Sequence, residues 1–265
     1  MMRDITIGQY YPVESPVHAL DPRTKLMAVL LYIVSIFLVK NTWFYIGYLA
    51  LLLIMFRLAK VPFSYFMKGL RNIIILLVFT FFFRMVATPG DVIATFWVFE
   101  VTTEGIHKAI HLTLRIALMV ACASLLSYTS TPKQLADGME KAFSPLEKIH
   151  IPVRDMAIMT MIAFRFIPVM LEEARSIMDA QAARGVEFEN TTIWRKTRNV
   201  TAVVFPLFMN SIRRSADLAM AMEARGFSGG PSSKMYPLVY KRGDRIAYVL
   251  SFLMLAVSIA LRVVL

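Results

Sequence analysis

A chain of 265 residues that is 57% hydrophobic and only 18% charged, with a mean hydropathy of +0.59, carries too much apolar surface for a water-soluble domain. Its 29 Lys and Arg against 18 Asp and Glu leave a formal net charge of +11, which in a membrane protein belongs on the cytoplasmic side against anionic lipid and makes nucleic acid a poor partner. The single cysteine, Cys122, lies in the apolar stretch 116–126, which excludes an internal disulfide and gives no sign of an oxidising compartment.

The first twenty residues mix Arg3, Asp4, Pro12, Glu14 and Pro16 without an apolar core. No cleavable signal peptide is read there, and the N-terminus is expected in the cytoplasm. Asp21 then caps a helix with Pro22 in its first turn, followed by an apolar run over 26–39. A second span is expected over 42–58, opening on the interfacial aromatics Trp43, Phe44 and Tyr45, and a third over 72–87. The loop 57–71 carries Arg57, Lys60, Lys68 and Arg71 against Lys40 alone in the preceding loop, so the positive-inside rule puts 57–71 in the cytoplasm. Residues 88–105 carry Asp91, Glu100 and Glu104 but no cation; they read as an outer loop whose stretch 92–101 lies in the interface. A fourth span over about 106–129 returns to the cytoplasm.

From there to Arg245 charges recur every few residues, and no stretch is clean enough for a comfortable bilayer span. Two long amphipathic helices are expected, over about 153–184 and 200–225, with a kink or boundary near Pro168 and Pro206. The first shows a polar stripe of Arg165, Glu172, Arg175 and Asp179, and the second one of Asn210, Arg213, Arg214 and Asp217. A fifth span over 246–261 closes the chain. The fold class is therefore an all-α integral membrane protein of about five transmembrane helices. Its division is a membrane domain over 1–129, a cytoplasmic domain of long amphipathic helices over 130–245, and a C-terminal transmembrane helix over 246–265.

The two long helices end alike, in Ala183-Arg184-Gly185 and Ala224-Arg225-Gly226. Glycine past the last turn stops a helix in the left-handed conformation, and an arginine there complements the negative end of the dipole. Any helix can end so. The same tripeptide on two successive amphipathic helices also sets a guanidinium at each tip, suited to acidic or carbonyl groups of a docked partner. Other constellations are weaker. His107, His111 and Arg115 fall at steps of four, with Glu104 before them, but lack a third and fourth metal ligand, so they read as an outer polar stripe whose side chains snorkel. Neither a metal site nor a cofactor is called for. The 18 methionines fall on apolar faces suited to repacking. No Gly-x-x-x-x-Gly-Lys-Ser/Thr phosphate loop and no convergent catalytic group is present, so the chain reads as a non-enzyme.

The two Ala-Arg-Gly tripeptides, the N-terminal run Ser15-Pro16-Val17-His18-Ala19-Leu20-Asp21-Pro22-Arg23-Thr24-Lys25-Leu26 and the order of spans together resemble the transmembrane T component (EcfT/CbiQ family) of energy-coupling factor (ECF) transporters. The resemblance implies that the tripeptide helices are coupling helices crossing beneath the membrane. Their arginine ends, Arg184 and Arg225, would then enter grooves of two ATP-binding-cassette ATPases. It further implies a multi-pass plasma-membrane subunit that relays ATPase closure to a substrate-binding S component, in vitamin or similar micronutrient import. Ala183 and Ala224 would permit close approach, and Gly185 and Gly226 would end the helices. A T component dedicated to cobalt or nickel, a self-contained secondary transporter or cation channel, and an intramembrane enzyme are the alternatives. The apolar cores of the first three spans and of the last lack the mid-bilayer polar groups a transporter or channel would need.

Overall fold

The computed structural model describes residues 10–39, 41–71, 73–96, 99–150, 152–188, 193–227 and 239–264. The protein is an all-α integral membrane protein. The helices are α1 (Pro22–Leu38), α2 (Phe44–Leu58), α3 (Phe63–Arg71), α4 (Ile74–Ala87), α5 (Thr103–Thr129), α6 (Pro132–Phe143), α7 (Val153–Ala183), α8 (Ile193–Ala224) and α9 (Arg242–Val264), with a 3-10 turn at Ser144–Ile149. Within the stretch expected at the interface, the backbone pairs with itself in one antiparallel hairpin, β1 (Val92–Phe96) and β2 (Phe99–Thr102). That pairing satisfies N–H and C=O groups where water is scarce. Contacts divide the chain into two units, Met1–Ala142 with Leu238–Leu265, and Phe143–Pro237.

In the first unit, α5 is the central post, packed against α1, α2, α3 and α4, and α9 lies along α1. Among the described residues, α5 and α9 each have the length and apolarity to cross a bilayer, and α3 with α4 does so as a pair bent by 57°. The apolar α2 is shorter, at 15 residues, and α1 has 17. An apolar core that includes Ile36, Leu52 and Phe56 is enclosed, but the lipid-facing surface and the buried hydroxyls depart from the pattern of a soluble protein. Ile75, Phe79 and Phe83 of α4 and Ile246, Val249 and Leu253 of α9 are exposed, whereas Ser35, Ser258 and Thr24 are buried. Large apolar side chains outside cost nothing in lipid, and hydroxyls between helices serve as glue. Tyr32 Oη donates to Tyr48 O at 3.0 Å, and Tyr48 Oη meets Ser258 Oγ, joining α1, α2 and α9.

The N-terminal run that carried the family resemblance proves to be a buried polar knot. Asp21 caps α1 by accepting the Arg23 N–H at 2.9 Å. Asp244, the third residue of α9, is 1% exposed. Its Oδ2 reaches back to the Lys241 N–H at 2.7 Å and its Oδ1 accepts the Asp21 N–H at 2.8 Å, so one carboxylate serves the starts of two helices. Lys25, also buried, donates to His18 O at 3.1 Å and to Thr129 O at 2.8 Å. The starts of α1 and α9 and the end of α5 therefore share one end of this unit. His18 Nε2 lies 3.1 Å from Tyr11 O, an acceptor only, so Nε2 carries the proton and Nδ1 takes the Ser15 hydroxyl at 2.7 Å. Burial, with the Lys25 charge behind it, pushes the His18 imidazole below its usual range and keeps it neutral in this role.

The opposite end corrects one expectation. His111 and Arg115 do not snorkel outward but turn to Tyr45 of α2, while His107 stays exposed beside the turn between α1 and α2. Arg115 Nε donates to Tyr45 Oη at 3.3 Å, Tyr45 Oη lies 3.1 Å from His111 Nε2, and His107 Nε2 lies 3.4 Å from Thr42 Oγ1.

The second unit holds α7 and α8, which pack on each other. At 31 and 32 residues each is about 45 Å long. Pro168 and Pro206 sit inside them and terminate neither, contrary to a boundary at these positions. α8 also begins seven residues before the expected Val200, because its first turns are charged and show no apolar period.

Candidate functional site

Both tripeptides sit where a helix stops, and the stops are identical. In α7, Arg184 is the C-cap and Gly185 adopts φ +84°. The Gly185 N–H donates to Ala182 O at 2.9 Å and the Val186 N–H to Gln181 O at 3.0 Å. In α8, Gly226 adopts φ +78°, its N–H donates to Glu223 O at 2.9 Å, and the Phe227 N–H donates to Met222 O at 3.0 Å. These are two complete Schellman motifs, the arrangement that consumes the last carbonyls of a helix. Among the described residues, nothing approaches within 4 Å of a Cβ built on either glycine. The glycines are therefore present for their backbone conformation and not for a close neighbour.

Ala183, Arg184, Ala224 and Arg225 are exposed. Neither guanidinium makes a hydrogen bond or ion pair with a described residue. Each projects from a helix end whose own carbonyls are already satisfied, so its five donors are available to an outside acceptor.

What holds the two tips in place was not legible in the sequence. Glu173, one residue off the expected polar stripe, is the clamp between the helices. Its Oε1 accepts from Asn210 Nδ2 at 2.7 Å, and its Oε2 pairs with an Arg214 guanidinium nitrogen at 3.0 Å. The Ser211 hydroxyl lies 3.2 Å from Met170 Sδ beside them. The stripe residues Arg165, Glu172, Arg175 and Asp179 are exposed instead. The clamp residues Glu173 and Arg214 each stand eleven positions before the arginine of their own helix, so both lever arms are about 16 Å long. Beyond the clamp, Asn199 Nδ2 of α8 donates to Glu187 O, just past the end of α7, at 2.6 Å. The helices thus run in opposed directions, and Arg184 and Arg225 lie on opposite sides of the clamp, on the order of 30 Å apart. Among the described residues no group of three His, Cys, Asp or Glu side chains could hold a metal.

Two exposed arginine tips of equal reach on one clamped helix pair, unpaired among the described residues, suit two separate acceptors. Comparison with known proteins agrees with a transporter subunit: a family model described as cobalt transport protein (CbiQ) matches residues 13–237. Proteins called energy-coupling factor transporter transmembrane protein EcfT are similar over nearly the whole chain. That of Clostridium kluyveri is 40% identical over 266 residues, covering 99% of this chain and 98% of its own. That of Bacillus subtilis is 38% identical over 258 residues, 97% of each, and that of Acidaminococcus fermentans 38% over 247 residues, 93% of this chain and 92% of its own. The chain belongs to the T-component family of ECF transporters. In this T component the open surroundings of Gly185 and Gly226 make a clean test of the helix stops. Gly185→Ala and Gly226→Ala should each cost about 1 kcal/mol through the left-handed backbone alone. A loss of several kcal/mol in a denaturation measurement would mean that the glycines are packed after all.

Proposed function

We propose that this T component is the scaffold and transducer of an ATP-driven micronutrient importer. Its helices α7 and α8 act as coupling helices, and Arg184 and Arg225 dock into two separate ABC-type ATPase subunits on the cytoplasmic side. A substrate-binding membrane S component completes the assembly. The chain hydrolyses nothing itself: it passes ATPase closure through the α7–α8 clamp to the S component, which tilts and releases its cargo. The N-terminus lies in the cytoplasm, and α1, α2, α4, α5 and α9 are the five passes through the plasma membrane.

The observation that supports this reading most directly is the pair of identical arginine tips, without a partner among the described residues, on opposite sides of one inter-helix clamp. Ala183 and Ala224, small and exposed, leave room for a partner surface against the last turn, and Gly185 and Gly226 release the chain from it. Vitamins are the cargo that the resemblance to the T-component family implies. The cobalt transport description of the matching family model supports a second reading, in which the assembly serves cobalt or nickel.

Co-purification of the candidate ATPases with wild type, Arg184→Ala, Arg225→Ala and the double variant tests the proposal. A charge-assisted contact is worth about 1.5–3 kcal/mol, so each single variant should weaken association roughly 10- to 100-fold and the double variant should abolish it along with uptake. Full association and uptake in the double variant would reduce the tripeptides to ordinary helix stops.

A further inference from the structure

The basic loop between α2 and α4 has a role that the transducer reading leaves unused. The helix α3 packs one side on the end of α5: a Cβ on Gly69 would lie 3.0 Å from Ser124 Oγ, and Tyr128 Oη donates to Tyr65 O at 3.2 Å. It therefore sits at the end of the first unit where α5 finishes and α1 and α9 begin. The apolar helices α2 and α4 flank it in the chain and expose Ile54, Leu58, Ile74 and Ile75 to their surroundings. α3 is thus a short helix held level with the ends of lipid-facing helices.

Its outer face combines two chemistries. Phe63 and Met67 are 60% and 50% exposed, and Lys68 and Arg71 share that face at helical spacing, with Arg57 and Lys60 just before. No Asp or Glu occurs between Asp21 and Asp91, and none of these four cations forms an ion pair with a described residue. Lys60 adds an independent observation. The end of α2 is a third Schellman stop, with the Lys60 N–H on Arg57 O at 3.0 Å and the Val61 N–H on Phe56 O at 3.2 Å. Here a lysine, not a glycine, takes the left-handed position, at φ +54°. α7 and α8 use glycine at that position, so at this stop a side chain is kept despite the conformational cost.

We propose that α3 and the turn before it form a binding surface for anionic phospholipid headgroups. Arg57, Lys60, Lys68 and Arg71 hold the phosphates, while Phe63 and Met67 enter the acyl boundary beside them. An acidic protein partner would use the cations but gains nothing from bare Phe63 and Met67 interleaved with them; a headgroup layer with hydrocarbon beneath uses both.

The test is native mass spectrometry of the full chain released from nanodiscs of phosphatidylcholine with about 30% phosphatidylglycerol as the anionic component. Wild type is compared with the triple variant Lys60→Gln/Lys68→Gln/Arg71→Gln and with a control, Lys148→Gln/Arg165→Gln/Arg213→Gln, which removes the same charge from the other unit. Wild type and control should retain phosphatidylglycerol over phosphatidylcholine. The triple variant should lose that preference by roughly fivefold per cation removed, with its circular dichroism unchanged. Equal retention by wild type and triple variant overturns the proposal, as does an equal loss in the control. Retained lipid that disappears when the assembled transporter is measured, with the triple variant failing to assemble, would assign the face to a protein partner and also overturn it.

Discussion

Replacing Asp244 with alanine should lower the melting temperature of the detergent-solubilised protein by about 10 °C. The carboxylate is buried and serves two helix starts at once, accepting the N–H of Asp21 before α1 and of Lys241 before α9. Its loss leaves one buried donor, the Asp21 N–H, and one part-buried donor, the Lys241 N–H, without an acceptor, at about 1–3 kcal/mol for the buried one and less for the other. It also takes a negative charge from the neighbourhood of the buried Lys25 ammonium. A total of about 3–4 kcal/mol corresponds to a shift near 10 °C in a domain of this size, at about 2–4 °C per kcal/mol. Asp244→Asn keeps one acceptor oxygen and should show about half the loss. A shift below about 3 °C for the alanine variant would mean that water or a rearranged neighbour satisfies both amides, and that the knot is not what ties α9 to α1.

The second large effect is expected at Glu173. Its side chain is 14% exposed and Arg214 is 45% exposed, so the ion pair is partly screened and contributes about 1–2 kcal/mol together with the Asn210 hydrogen bond. That is small for the stability of the chain and large for the angle between two 45 Å helices, because among the described residues no other side-chain ion pair joins them. Spin labels at Arg184→Cys and Arg225→Cys, in a Cys122→Ser background, should report a distance on the order of 30 Å with a narrow distribution. Glu173→Ala should broaden that distribution, and Glu173→Arg combined with Arg214→Glu should narrow it again. In the assembled transporter, Glu173→Ala with native arginine tips should keep the ATPases bound and lower ATP-driven uptake several-fold. An unchanged distribution would sink the clamp without touching the docking role of the arginines, which rests on their own variants.

Much of this was written in local sequence. Asp21-Pro22 predicts the start of α1, and the helix begins at Pro22 with Asp21 as its cap. The apolar run after Thr102 is α5, and the first long amphipathic pattern ends one residue from where it was expected, because Arg184-Gly185 is a stop that needs no tertiary help. A further local signal lies at the start of α6. Thr131 and Gln134 cap α6 reciprocally, the Thr131 N–H donating to Gln134 Oε1 at 3.0 Å and the Gln134 N–H to Thr131 Oγ1 at 3.3 Å. That spacing is a capping box readable from the sequence. The early start of α8 was hidden because a charged first turn has no apolar period to detect.

Composition and periodicity alone determined that this chain lives in a membrane, where its long apolar helices run and that two long amphipathic helices end in Ala-Arg-Gly. All of these depend on a residue and its neighbours within a few turns. Only the tertiary structure decided that Asp244 binds the starts of two helices far apart in the chain, that Tyr45 receives Arg115 and His111, and that Glu173 rather than Glu172 pins α7 to α8. Adjacent glutamates on a helix point about 100° apart, and which of them meets a partner depends on where another helix lies, a fact no local pattern contains.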